Sequence, residues 1–99
     1  MHCDNMAQQN RIGKTATTVQ HTPKGITVVY HSTPVVVTSG DEILLNTGGY
    51  FTNTTKTRMN QTSNQFKLGY YVFQAKGVWY CRYKDITRKF EGTKLILKR

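Results

Sequence analysis

The chain has 99 residues, a formal net charge of +9 and two cysteines. This length fits one domain with one small core, and a content of 11% aromatic residues argues against a disordered chain. The longest apolar runs, residues 35–37 and 95–97, are far shorter than the ~18 residues of a membrane-spanning helix, so no membrane is expected as partner. Two cysteines make no disulfide framework, which favours a reducing cytoplasm.

The positive charge lies in one half of the sequence. Residues 1–55 contain three basic and three acidic residues, whereas residues 56–99 contain eleven basic residues against Asp85 and Glu91. Such an asymmetry favours an anionic partner, most often nucleic acid. The alternative is that the charge serves solubility alone.

Residues 1–16 show no hydrophobic periodicity and are predicted to be a flexible N-terminal arm, followed by a single domain over residues 17–99. From residue 17 onward, β-branched segments are separated by turn-forming residues, which predicts strands. The predicted strands are residues 17–22, with a weaker pattern, residues 25–31, and a hairpin of residues 35–38 and 42–46 that turns at residues 39–41. These strands are apolar and nearly neutral, so they are expected to form the core sheet.

A short helix is predicted over residues 54–66, after a Gly-Gly turn at residues 48–49. Strand alternation stops there, and apolar residues recur at spacings of three, four and seven. Thr and Asn are poor helix formers but good caps, so Asn53 or Thr54 is predicted to start the helix. Gly69 is predicted to follow its last turn.

A hairpin is predicted over residues 70–83, with its turn at Lys76 and Gly77. Alternation divides its side chains between two faces, and only one face is needed for the core. The face assigned to the core carries Tyr70, Val72, Gln74, Trp79, Cys81 and Tyr83. The other face carries Tyr71, Phe73, Ala75, Val78, Tyr80 and Arg82. Two further strands are predicted in residues 86–99, turning at Glu91 and Gly92.

The sequence gives little support for catalysis. It has five carboxylates and none of the spacings typical of a nucleophile elbow, a zinc-binding helix, a redox dithiol or a phosphate-binding loop. Cys81 lies next to Arg82, which would favour a thiolate, but a cysteine inside an aromatic strand is more often a small core residue. We therefore expect a protein that is not an enzyme and has no metal and no cofactor.

Binding is the better hypothesis, because eight of the eleven aromatic residues lie in residues 66–90 among basic residues. On the face of the hairpin that the core does not need, the candidates to stack nucleobases are Tyr71, Phe73 and Tyr80. The candidates for phosphate contacts are Lys56, Arg58, Lys67, Arg82, Arg88 and Lys89. The alternative is that these aromatic residues serve only packing.

An anion-binding site is also predicted where the helix begins. A helix N-terminus presents unpaired N–H groups, and the preceding glycines allow close approach of a ligand. Thr54 and Thr55 would supply hydroxyls, and Lys56 and Arg58 would supply charge. The alternative is a Thr/Asn cap beside ordinary solvated cations.

The sequence LNTGGYFTNTTKTRMNQTSNQFKLGYYVFQAKGVWY, residues 45–80, together with VVYHSTPVVV upstream, resembles a group of small proteins from tailed bacteriophages. The shared features are Tyr-His in a strand, Gly-Gly before an aromatic residue, Thr-Thr-Lys-x-Arg-Met-Asn-Gln, and Val-Trp-Tyr. The resemblance covers about residues 25–83 and implies a virus-encoded protein that acts in an infected bacterium. It implies no particular activity and no functional residues.

The sequence therefore predicts an α+β fold: a twisted, mainly antiparallel sheet with one short helix, with partial closure toward a small barrel left open. The preferred function is that of a non-enzymatic phage accessory protein that binds nucleic acid in the cytoplasm of the infected host. The alternative is an antagonist of host defence or metabolism that inhibits an acidic host protein or sequesters a small nucleotide signal. An edge at residues 94–97 would allow a homodimer.

Overall fold

The computed structural model describes residues 16–99, which form eight strands and one helix. The strands are β1 (Thr17–Thr22), β2 (Gly25–Tyr30), β3 (Thr33–Ser39), β4 (Glu42–Asn46), β5 (Tyr70–Ala75), β6 (Val78–Tyr83), β7 (Ile86–Lys89) and β8 (Lys94–Lys98). The helix, α1, spans Asn53–Phe66. The strands and the helix predicted over residues 17–66 are confirmed, with ends that differ by one or two residues. The arm predicted for residues 1–16 lies outside the described residues except for Ala16.

The eight strands form two sheets rather than one sheet that closes on itself. A five-stranded sheet has the order β1-β2-β3-β4-β8, and a three-stranded sheet has the order β5-β6-β7. Every strand pairing in both sheets is antiparallel. The predicted α+β class with mainly antiparallel pairing is therefore confirmed, while each described sheet keeps two edge strands.

The two strands predicted in residues 86–99, turning at Glu91 and Gly92, are confirmed as β7 and β8, but they belong to different sheets. β7 pairs with β6, whereas β8 pairs with β4. Within the described residues, one isolated bridge between Glu91 and Lys94 joins the two sides of the turn. Pairing with β4 buries Leu95 and Leu97 in the core, a gain that an exposed hairpin would not provide.

One hydrophobic cluster joins both sheets and the helix. The five-stranded sheet contributes alternate residues such as Val28, Ile43 and Leu97, because successive side chains of a strand point to opposite faces. The three-stranded sheet contributes one face of its hairpin, with Tyr70, Val72, Trp79 and Cys81. These four residues confirm the predicted core face, whereas Gln74 near the hairpin turn is exposed.

The N-terminus of α1 is capped by a threonine. Thr52 has an extended backbone, and its hydroxyl accepts a hydrogen bond from the N–H of Thr55 at 3.2 Å. This bond satisfies one of the N–H groups that a first helical turn leaves without a partner. The helix thus starts at Asn53, one of the two predicted positions, but its cap is the residue before.

The C-terminus of α1 ends in a left-handed residue. Lys67 has a φ of 54°, and the N–H of Leu68 donates to the carbonyl of Ser63 at 2.9 Å. This is the Schellman arrangement, so Lys67 rather than the predicted Gly69 closes the helix. No helix in residues 16–99 combines the length and apolar character needed to cross a membrane.

The polar face of α1 completes the hydrogen bonding of strand β5. The side-chain amide of Asn60 donates to the carbonyl of Val72 at 2.8 Å and accepts from the N–H of Val72 at 2.7 Å. One turn later, the hydroxyl of Ser63 donates to the carbonyl of Tyr70 at 2.8 Å and accepts from its N–H at 3.0 Å. Two helical side chains thus satisfy a strand edge that no neighbouring strand covers.

Candidate functional site

The candidate site is the face of the three-stranded sheet that points away from the core, which we call the outer face. Its residues are Tyr71, Phe73, Ala75, Val78, Tyr80, Arg82, Thr87 and Lys89. The observed register pairs Phe73 with Tyr80 and Tyr71 with Arg82, as the predicted turn at Lys76 and Gly77 requires. Residues directly opposite each other in an antiparallel pair share a face, so the sequence alternation placed these side chains together.

Three rings on the outer face form an aromatic ladder, made of Tyr71, Phe73 and Tyr80. The rings of Tyr71 and Phe73 are stacked with centroids 6.0 Å apart, and those of Phe73 and Tyr80 with centroids 5.6 Å apart. Their planes differ by 17° and 20°. Tyr71 is 59% exposed, so the ring at one end of the ladder is open to solvent, while Phe73 and Tyr80 are half-buried.

Two cations border the aromatic ladder. Lys89 of β7 lies opposite Tyr80, and Arg82 lies opposite Tyr71. Arg82 is 3.8 Å from the carboxylate of Asp85, but both groups are well exposed, so this ion pair contributes little. Strands β5, β6 and β7 contain no Asp or Glu, so the face combines rings with positive charge.

The other predicted phosphate ligands lie elsewhere. Arg88 lies opposite Cys81, which puts it on the other face of the sheet, and its Nη1 donates to the carbonyl of Ile96 at 2.8 Å. Arg88 therefore satisfies a carbonyl on the outer edge of β8, within the segment predicted as a dimer edge. Lys67 is exposed at the end of α1, three residues before the start of β5.

The N–H groups of the Gly-Gly turn are already bonded within the chain. The N–H of Gly48 donates to Asn46 Oδ1 at 2.9 Å, and the N–H of Gly49 donates to Thr47 Oγ1 at 3.1 Å. The side chain of Thr55 is buried, and its hydroxyl lies 3.0 Å from that of the cap residue Thr52. These donors of the predicted anion site thus serve the turn and the cap.

Thr54, Lys56 and Arg58 do not converge on one point beside the turn. Thr54 is exposed, and Lys56 Nζ lies 5.8 Å from the centre of the Trp79 ring. Arg58 donates from Nε to Thr17 Oγ1 at 3.0 Å and from Nη1 to Gln61 Oε1 at 3.1 Å. Its guanidinium also lies over a tyrosine ring of β2, so Arg58 links the helix to the five-stranded sheet.

A cavity of about 450 Å³ lies beside the same turn, which we call the Tyr30 cavity. Among its lining residues are Tyr30, His31, Thr33, Tyr50, Thr52 and Thr55. The sequence pattern did not predict this lining, because Tyr30 ends β2, His31 follows it, and both reach the start of α1 only through the packing of α1 against β2 and β3. The sequence feature that could have indicated this cavity is the adjacent Gly-Gly-Tyr at residues 48–50.

Cys81 and Tyr70 are the buried titratable groups of the three-stranded sheet. Burial raises the pKa of the Cys81 thiol to about 11, and burial together with Cys81 raises the pKa of the Tyr70 hydroxyl well above its usual value. The Tyr70 hydroxyl donates to the carbonyl of Met59 at 2.6 Å. At neutral pH both groups are protonated, which fits a core role rather than a nucleophile.

Cys81 is expected to resist alkylation in the folded protein. A pKa raised from 9.0 to about 11 lowers the thiolate fraction about 100-fold at pH 8, and the side chain is fully buried. In a Cys3→Ser background, iodoacetamide should label Cys81 at least 100-fold more slowly than in guanidinium. The rate should rise as the pH approaches 11. Rapid labelling of the folded chain at pH 7 would contradict the assignment to the core.

Residues 16–99 contain no group of three His, Cys, Asp or Glu side chains arranged to hold a metal ion. Comparison with known proteins gave a family match. The model of a family described as Kyanoviridae Gp96 protein matches residues 2–96, nearly the whole chain. No curated protein and no solved structure matched the chain.

Proposed function

This chain belongs to the Kyanoviridae Gp96 protein family of bacteriophages, and from that premise we propose that it is a phage accessory protein that binds nucleic acid without catalysing a reaction. It would act in the cytoplasm of the infected bacterium. The observation that carries the proposal is the aromatic ladder on the outer face with Arg82 and Lys89 beside it.

Single-stranded nucleic acid is the form that suits this surface. Bases in a duplex are stacked on each other, whereas unpaired bases are free to stack on aromatic side chains. The rings of Tyr71, Phe73 and Tyr80 present such surfaces, and basic residues on the same sheet neutralise the phosphates. The absence of acids from β5, β6 and β7 removes a source of repulsion.

The charge distribution adds a long-range attraction. Residues 56–99, which include the whole three-stranded sheet, carry all of the net +9. An excess of one sign over a surface raises the association rate with an oppositely charged polymer, and salt screens this effect. The positive half of the chain therefore supports binding of a polyanion.

Binding of a single-stranded oligonucleotide is expected to weaken about 10- to 50-fold between 50 and 200 mM salt, because each neutralised phosphate releases counterions. Fluorescence anisotropy of a labelled oligonucleotide at several salt concentrations measures this slope. Replacing Arg82 and Lys89 with glutamine should flatten the slope by about 0.7 for each lost contact. Affinity that stays constant with salt, or no binding at all, would overturn the proposal.

A second candidate function, capture of a small nucleotide, is favoured by the Tyr30 cavity. Its volume of about 450 Å³ lies within the ~300–1,000 Å³ typical of small-molecule sites. Tyrosine rings and threonine hydroxyls would stack on a base and bond to its edges. The purified protein distinguishes the two functions: a nucleotide released only on denaturation and identified by mass spectrometry supports capture, whereas polymeric nucleic acid removed by salt supports the first proposal.

A further inference from the structure

A small pocket lies beside Trp79, the only tryptophan of the sequence. It has a volume of about 240 Å³ and is lined by Phe51, Gly77, Val78, Trp79, Phe90 and Gly92. Gly77 lies in the hairpin turn, so the pocket is at the hairpin end of the three-stranded sheet, where Val78 belongs to the outer face and Trp79 to the core face. Because the volume is below the ~300–1,000 Å³ typical of sites for whole ligands, it suits a single ring.

The walls of this pocket are aromatic and open to approach. The ring of Trp79 meets Phe51 edge to face, with centroids 5.3 Å apart, and meets Phe90 in the same way at 5.8 Å. Phe51 is 48% exposed, so an apolar ring stands at the mouth of the pocket. Gly77 and Gly92 have no atom within 4 Å of where a Cβ would lie, which leaves their backbone accessible.

The indole N–H of Trp79 lacks an acceptor. Trp79 is only 4% exposed, and its Nε1 is the one buried side-chain nitrogen or oxygen without a hydrogen-bond partner in residues 16–99. Buried polar groups are nearly always hydrogen-bonded, because an unpaired donor has lost its water without replacement. An acceptor supplied by a ligand would remove this penalty. The orphaned donor and the pocket are independent observations at the same residue.

The charge near Trp79 is positive. Lys56 Nζ lies 5.8 Å from the centre of the indole ring, and Lys76 precedes the lining residue Gly77, whereas Glu91 lies between Phe90 and Gly92. A ring that enters beside this ammonium group can carry a phosphate on its sugar. The chemistry of the pocket thus matches one base of a strand rather than an uncharged aromatic molecule.

We propose that this pocket is a base slot, which holds one thymine or uracil ring of a bound single strand. Nε1 is covered in the free protein, so the exposed Phe51 ring turns aside to admit the base. A carbonyl oxygen of the base then accepts the hydrogen bond of Trp79 Nε1, and Phe51 covers the base. Thymine and uracil have two carbonyl oxygens on a single ring and cytosine has one, whereas adenine has none and is larger. The inference rests on the proposed function and adds a base preference to it.

The test compares oligothymidylate with oligoadenylate of equal length at fixed salt, by anisotropy of labelled strands. Phe51→Ala and Trp79→Phe should each weaken oligothymidylate binding about 5- to 10-fold and change oligoadenylate binding less than about twofold. Trp79→Phe keeps a ring in the core but removes the N–H. Ile96→Ala is the matched control, because Ile96 is an apolar side chain with a similar exposure of 46% on β8. Oligouridylate in the same assay distinguishes an RNA from a DNA strand.

Loss of the preference for thymine or uracil in both variants, with oligoadenylate binding kept, supports the base slot. A merely structural role for Phe51 and Trp79 would weaken both strands equally and would overturn it. An unchanged preference would also overturn it, while the proposed function would stand if alanine at Tyr71 and Phe73 still abolished binding. Should no oligonucleotide bind the wild-type protein, both proposals fail. The exposed position of Phe51 keeps the test valid even if Trp79→Phe folds poorly.

Discussion

Replacing Tyr71 and Phe73 together with alanine is expected to weaken binding of a single-stranded oligonucleotide about 30-fold or more. Stacking of a base on an aromatic side chain contributes about 1–3 kcal/mol, and this variant removes two of the three rings of the aromatic ladder. The Kd from anisotropy at fixed salt measures the effect. Since Tyr71 is well exposed and Phe73 is half-buried on the outer face, the fold should survive.

Tyr50→Ala is the matched control for this variant. Tyr50 has an exposure of 64%, close to the 59% of Tyr71, but it lies in the turn before α1. Its loss should leave oligonucleotide affinity within about twofold, as should Tyr71→Phe, which keeps the ring. If the double variant binds as tightly as the wild type, the outer face is not the nucleic-acid surface. If Tyr50→Ala alone impairs retention of a small nucleotide, the Tyr30 cavity becomes the preferred site.

Replacing Asn60 and Ser63 together with alanine is expected to lower the free energy of unfolding by about 4 kcal/mol. The change removes four hydrogen bonds and leaves the N–H and carbonyl groups of Tyr70 and Val72 without side-chain partners. Each such loss costs about 0.5–1.5 kcal/mol, and more where the group stays buried. A domain of this size has roughly 5–15 kcal/mol in total, so the variant should be close to unfolding at 37 °C.

Urea unfolding followed by circular dichroism measures this loss, with Thr57→Ala as the control. Thr57 lies in the same helix and is exposed, so alanine there should change stability by less than about 0.5 kcal/mol. Of the two single variants, Ser63→Ala should lower the free energy of unfolding more than Asn60→Ala, because the hydrogen bonds of Ser63 are buried. A loss below about 1 kcal/mol in the double variant would show that water replaces these side chains at the strand edge.

The hydrogen bonds from Asn60 and Ser63 to β5 also define one border of the outer face. On the side of β5, the helix covers the strand edge through Asn60 and Ser63, so no further strand can add there. On the opposite side, β7 is exposed along its whole length of Ile86–Lys89. A bound strand would therefore meet Lys89 of β7 as it leaves the aromatic ladder.

The outer face was largely predictable from the sequence. A turn at Lys76 and Gly77 sets the register of the hairpin, and a period of two then decides which side chains share a face. The register and the assignment of side chains to faces are both local features, because they involve residues within 14 positions of each other. The structure accordingly shows Tyr71, Phe73, Tyr80 and Arg82 on one face, as predicted.

The partners of polar side chains were not predictable in the same way. Arg58 bonds to a residue 41 positions away in β1, and Arg88 bonds to a strand of the other sheet. Both residues were predicted as phosphate ligands from their charge and their position in the sequence, Arg58 near the start of the helix and Arg88 among the aromatic residues. Their contacts depend on how the two sheets and the helix pack, and residue type carries no information about that packing.

The sequence by itself determined the strands, the position of the helix, the register of the hairpin at residues 70–83 and the concentration of charge in residues 56–99. These features follow from spacing along the chain, because alternation and turn chemistry act between near neighbours. Only the tertiary structure decided that β8 pairs with β4, that Asn60 and Ser63 complete β5, and that Trp79 keeps an unpaired N–H beside a pocket. Those features join residues that are distant in sequence, and the burial of apolar surface and backbone polar groups selects among the many pairings that the local pattern allows.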